Sequence, residues 1–138
     1  MKVKIRLHSK QKIGEELDEF TIEEKGVLLN RGKTYLLSYF QDNIHHSLEF
    51  FPEENKLIMM RNWKEKQRVE YLSGIKWTVD YETELGTMPL SFATKEVKYL
   101  YEEFSAGRAE LRLSYLLYQF EEMIAETELS IAIFPLKG

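Results

Sequence analysis

Residues 56–94 read KLIMMRNWKEKQRVEYLSGIKWTVDYETELGTMPLSFAT, and their pattern decides the fold. Trp77, Val79, Tyr81 and Thr83 alternate with Thr78, Asp80 and Glu82. After Glu84-Leu85-Gly86 the alternation resumes in Met88, Leu90 and Phe92. A period of two sends one residue set to one face of a sheet. A short break containing glycine between two such runs is a hairpin signal. Four successive strands are predicted, over residues 56–61, 67–72, 75–83 and 87–94.

The pattern continues outward in both directions. Residues 2–9 set Val3, Ile5 and Leu7 against Lys2, Lys4, Arg6 and His8, which predicts a first strand. Polar residues 10–16, with Gly14, read as the first connection. Residues 17–30 form a second strand, expected to bend or bulge near Lys25-Gly26, because glycine inside a strand often marks a bulge. After the turn Asn30-Arg31-Gly32, residues 33–41 carry Tyr35, Leu37 and Tyr39 on one side and Leu36, Ser38 and Phe40 on the other. Such a strand is covered on both faces or meets a partner. Residues 42–46 read as a loop and 47–51 as a short strand, closed by the turn cluster Pro52-Glu53-Glu54-Asn55.

Downstream, residues 95–104 fit two periods. Val97, Leu100, Tyr101 and Phe104 have helical spacing, while Val97, Tyr99 and Tyr101 alternate, and periodicity does not separate these for a short run. Ser105-Ala106-Gly107 breaks the pattern. Residues 108–120 and 123–134 then alternate as two long strands of a hairpin. A helix over 109–125 competes, since Leu, Glu, Arg and Ala are good helix formers; the alternation favours the hairpin and less than about 15% helix. The chain therefore reads as all-β, a single antiparallel meander of about eight to ten strands. Closing a long meander into a barrel removes its edges.

A length of 138 residues predicts one domain, 1–138, large enough to bury roughly 70% of its unfolded surface. The aromatic share of 13% suits strands. A net charge of −4 weighs against a nucleic-acid partner, which needs a concentrated basic surface. The absence of cysteine excludes disulfides and thiol catalysis and suits a reducing compartment. MKVKIRLHSK lacks the apolar run of a signal peptide, and no window approaches the roughly 18 consecutive apolar residues of a membrane helix. A cytoplasmic location without a membrane partner is expected.

The segments KLIMMR, RVEYLSG and DYETELGTMPLSFAT, with KTYLLSYFQD before them and GRAELRLSYLL and ELSIAIF after, resemble the uncharacterised YwiB-like family of bacterial proteins in order and spacing. The family pattern is a strand ending in Met-Arg, a turn, a strand, then Tyr-x-Thr-x-x-Gly. Here those positions are Met60-Arg61, Tyr81, Thr83 and Gly86. The resemblance covers most of the chain. It implies a calycin-like, lipocalin-type barrel, cytoplasmic, in low-GC Gram-positive bacteria, and no established activity. The sequence departs at Met60-Arg61-Asn62-Trp63, where the family tends to have Met-Arg-Ser-Gly, so the turn after the arginine is altered. The first strand also lacks the Gly-x-Trp signature of secreted lipocalins, so their ligands do not transfer.

Arg61 shares parity with Leu57 and Met59 and is expected to face inward. There it either grips a ligand carboxylate or phosphate or packs on an aromatic ring with its donors on main-chain carbonyls. Trp77, Tyr81, Met88, Leu90 and Phe92 form an apolar, aromatic stripe that serves equally as core or as cavity wall. His45 and His46 point to opposite faces and do not chelate together, and zinc needs three or four ligands. Asp80, Glu82 and Glu84 share one face by spacing, which suits either a Ca²⁺ site or, the favoured reading, a solvated outer face; the acidic run 15–24 also reads as solvated surface. No phosphate loop, nucleophile elbow or metalloprotease helix is present, and no cofactor is implied.

Two readings lead, with an enzyme trailing both. The first is a barrel binding a small hydrophobic or acidic amphiphilic ligand at Arg61, Trp77, Tyr81, Met88, Leu90 and Phe92. The second is a filled barrel acting as an interaction module through Leu36, Phe40, Leu116, Tyr118 and Phe120, compatible with a homodimer. The interior volume separates them, since ligand sites begin near about 300 Å³.

Overall fold

The computed structural model describes residues 1–63 and 65–136. Its strands are β1 (Lys2–Ile13), β2 (Glu16–Asn30), β3 (Tyr35–Gln41), β4 (Ile44–Phe51), β5 (Lys56–Trp63), β6 (Glu65–Leu72), β7 (Lys76–Thr83), β8 (Gly86–Glu103), β9 (Arg108–Gln119) and β10 (Glu122–Pro135). Strands take up 81% of the described residues, which form no α-helix. All ten join one sheet in the order β6-β5-β4-β3-β2-β1-β10-β9-β8-β7, every pairing antiparallel. The sheet curls until its two ends, β6 and β7, meet in a nearly closed barrel.

The alternating apolar residues fill one end of this barrel. Val3, Ile5, Leu37, Phe50, Leu57, Leu111, Ile131 and Ile133 are fully buried there, and Phe104 stacks on Tyr35 at 4.3 Å and packs against Phe50 at 5.1 Å. The long strand β8 wraps beneath them. Register shifts at Thr94/Glu96 and Tyr99/Tyr101 bend it. The Tyr99 hydroxyl then donates to Lys56 O (2.6 Å) and accepts from the Phe51 amide (3.0 Å), tying β8 to the β4–β5 turn.

At the opposite end the wall has two heights. β2 pairs with β3 only over residues 26–30, whereas it pairs with β1 along nearly its whole length. The β1–β2 hairpin therefore projects past the β3–β4 hairpin, and the barrel is cut away on that side.

Several boundaries differ from expectation. β1 continues through residues 10–13, because the connection is only Gly14-Glu15; the projecting part has no core to bury, so its polar sequence resembles a loop. Residues 44–46 are strand, because Asp42 (φ 52°) and Asn43 (φ 65°) make a two-residue turn with both residues left-handed. Residues 95–103 are strand. No register break occurs at Lys25-Gly26; a Cβ on Gly26 would lie 2.7 Å from Ser38 O, so glycine there permits close approach of β3. Asn62 and Trp63, expected in a turn after Arg61, extend β5, and β6 begins at Glu65; Lys64 lies outside the described residues.

Candidate functional site

Strand parity sends Tyr39 (β3), His46 (β4), Arg61 (β5), Gln67 and Tyr71 (β6), Tyr81 (β7), Phe92 (β8) and Tyr115 (β9) to the cut-away end. With Leu48, Met59 and Val69 they line a cavity of about 230 Å³. The filled end is packed by apolar side chains and aromatic rings; here polar groups and tyrosines join the apolar lining.

Arg61 is half-buried and its contacts cross the seam between the sheet's two ends. One Nη donates to Gln67 Oε1 at 2.6 Å and to the main-chain oxygen of Glu82 at 2.9 Å, and the guanidinium stands 4.4 Å from the centroid of the Tyr81 ring. Gln67, itself buried, donates to Asp80 O at 3.3 Å. From the other side, the Trp77 indole N–H donates to Arg68 O at 3.0 Å, with the Arg68 guanidinium 5.4 Å from the ring. Side chains thus bond to main chain where strand-to-strand pairing ends.

The remaining lining groups are uncharged donors and acceptors at neutral pH. The His46 ring stacks on Tyr39 at 5.0 Å. Burial holds its pKa below the ordinary 6.5, helped by the nearby charges of Arg61 and His45. Burial pushes the Tyr39 hydroxyl up to about 12, with Glu24 adding to the shift. Tyr71 and Tyr115 are likewise raised by burial first, and Tyr71 also by its neighbour Tyr115. A guanidinium, an imidazole whose pKa burial lowers, and the raised-pKa phenols of Tyr39, Tyr71 and Tyr115 face a small space with aromatic walls. Such a set suits an anionic or planar polar group.

Of the residues singled out by sequence, Arg61, Tyr81 and Phe92 line this cavity. Leu90 is buried in the core, and Met88 is half-buried beside it. Trp77 packs against the core from the seam and is half-buried. Tyr39, Gln67, Tyr71 and Tyr115 were not singled out, and His46 was weighed only as a metal ligand. Tyr115 follows Leu111 and Leu113 at even spacing, and Tyr39 follows Leu37, so parity alone could have placed both. His45 faces out against Phe40, as the opposite-face expectation requires. Asp80 and Glu84 are exposed, but Glu82 is only 9% exposed, so the three carboxylates do not share a solvated face. Among the described residues no group of three or more His, Asp and Glu stands together as a metal site. Phe40 and Phe120 are 63% and 77% exposed. Three strands, β2, β1 and β10, separate Leu36 and Phe40 from the β9 residues Leu116 and Tyr118, so the five do not form one patch. A wider depression of about 450 Å³ on the outer wall mixes Lys10, Lys98 and Arg112 with Glu96 and Glu128.

A ten-stranded meander barrel, packed at one end and polar at the other, is a calycin-like barrel. The chain belongs to the family described as a domain of unknown function, DUF1934, whose model matches residues 5–131. It is similar to the crystal structure of the ywiB protein from Bacillus subtilis, with a TM-score of 0.83 over 99% of this chain and 92% of that one. The two are 13% identical, so the likeness speaks for the fold alone. No curated protein matches the sequence. No described helix is long and apolar enough to cross a membrane.

Proposed function

We propose that the polar end of the barrel binds a small, partly apolar ligand by an acidic head, in the reducing cytoplasm that the cysteine-free sequence suits. The observation supporting this reading is the convergence of Arg61, His46 and the tyrosines Tyr39, Tyr71, Tyr81 and Tyr115 on one cavity. Arg61 supplies positive charge and His46 and the phenols supply hydrogen bonds. Phe92 and Tyr81 supply the apolar wall. A space of about 230 Å³ admits a head group of few atoms, and the low β3–β4 side leaves an exit for the remainder.

Titration of the isotopically labelled protein with octanoate tests the reading by NMR. Saturable shifts at the Arg61 side chain and at His46, with a raised His46 pKa in the complex, are expected. No shift at millimolar octanoate would sink it.

By volume alone the cavity favours the second reading, a filled barrel working through its outer surface, because ligand sites usually exceed about 300 Å³. The exposed rings of Phe40 and Phe120 are the places where such a partner would make contact.

A further inference from the structure

The most distinctive open feature outside the cavity is a strand edge. Residues 16–25 of β2 pair with β1 on one side, and no described strand pairs with them on the other. Ten residues at about 3.3 Å each leave an edge of about 33 Å, with main-chain donors and acceptors turned to solvent. Side-chain parity divides this edge into two faces. On the outer face Glu23 meets Lys4 at 2.7 Å and Arg6 at 2.8 Å, two cations of β1 that neutralise it, and Glu19 meets the His8 ring at 2.7 Å.

The inner face is different. Glu16, Asp18, Phe20, Ile22 and Glu24 share it, opposite Ile13, Gln11, Ser9, Leu7 and Ile5 of β1. That stretch of β1 offers no cation, and Glu16, Asp18 and Glu24 make no ion pair with a described residue. Between the acids, Phe20 is 51% exposed. Acid, apolar, apolar, acid at alternate positions is the complement of a strand with the pattern base-x-apolar-x-apolar-x-base.

We infer that the free edge of β2 accepts an extended basic segment of a partner protein by strand addition. Main-chain bonds supply affinity and alternate side chains supply selection. A second copy of this chain fits poorly, because its inner face would set three further carboxylates against three that are already unneutralised. The inference is independent of whether the cavity holds a ligand, since the edge lies on the projecting hairpin.

The test uses the peptide acetyl-Lys-Thr-Val-Thr-Val-Thr-Lys-amide and the full isotopically labelled chain. Shifts and slowed amide exchange confined to residues 16–25 are expected. Two peptides N-methylated on alternate amides separate pairing from simple charge attraction: one set of amides faces β2 and the other faces solvent, so one version should lose binding and the other keep it. The exposed double variant Glu16→Lys with Asp18→Lys should weaken the parent peptide at least about tenfold and bind the version with Glu in place of Lys. Shifts elsewhere, no shift at millimolar peptide, or equal binding by both methylated versions would overturn the inference. So would a dimer in sedimentation that protects residues 16–25 without peptide.

Discussion

The guanidinium of Arg61 on β5 donates a 2.9 Å hydrogen bond to the main-chain oxygen of Glu82 on β7, although β6 lies between β5 and the seam. A side chain thus spans a gap that no ladder of strand hydrogen bonds closes. Arg61 clamps the two ends of the sheet together.

Arg61→Met is therefore expected to destabilise the protein by about 2–4 kcal/mol, since it leaves Glu82 O and Gln67 Oε1 without their charged donor. Urea unfolding gives the figure. A midpoint equal to or above the parent's would show that the clamp adds nothing to the fold, leaving ligand binding as the reason for the residue.

Trp77 is half-buried, so Trp77→Ala should cost about 2 kcal/mol, below the roughly 3–5 kcal/mol of a fully buried aromatic. Trp77→Phe keeps much of the packing and loses the bond to Arg68 O, for about 1 kcal/mol. Thermal melts of the two variants in parallel should show that order; a Phe variant as unstable as the Ala variant would place the whole effect in the indole N–H.

His46 has a folded-state pKa below its unfolded value, so the unfolded chain binds the proton more readily between the two. Stability should fall as pH drops through 6.5 and level off below the depressed folded value. His46→Gln should flatten that part of the profile. An unchanged slope in the variant would assign the pH dependence to other groups.

The hydroxyl of Tyr99 serves two main-chain groups, Lys56 O and the Phe51 amide. Tyr99→Phe leaves both without their partner and should cost about 2–3 kcal/mol. Amide exchange at Phe51 should accelerate more than the global loss requires.

Phe120 (φ 51°) and Glu121 (φ 69°) both sit in the left-handed region in the β9–β10 turn, where neither residue type is at ease. Replacing the pair with Asn-Gly, the favoured residues of such turns, should stabilise the protein by about 1 kcal/mol. A loss of stability would mean that the exposed Phe120 ring makes a contact worth more than the turn strain.

The architecture was legible wherever one sheet face meets the core. Val3, Ile5 and Leu7, or Leu111, Leu113 and Tyr115, alternate because a strand half in water must. Legibility failed where that condition fails. Residues 10–13 project beyond the core and carry no alternation, and the bulges in β8 shift its parity enough to imitate a helix. In the site, Arg61, Tyr81 and Phe92 were reachable because all three continue apolar stripes. Gln67 was hidden by its polarity: nothing local says that its amide is buried and turned to the Asp80 carbonyl on the next strand, across the seam. The contacts across the seam join residues that no short-range pattern connects.

The pairing of β1 with β10, from Val3 opposite Pro135 to Lys12 opposite Glu126, sets an order of events during synthesis. The other ladders join strands that follow one another along the chain and can form as each hairpin leaves the ribosome. β1 must wait, one flank bare, until the last strand has been made. An interior ladder of the finished sheet is thus the latest to assemble, and until then the nascent chain carries the open flank of β1 and needs shielding from its neighbours.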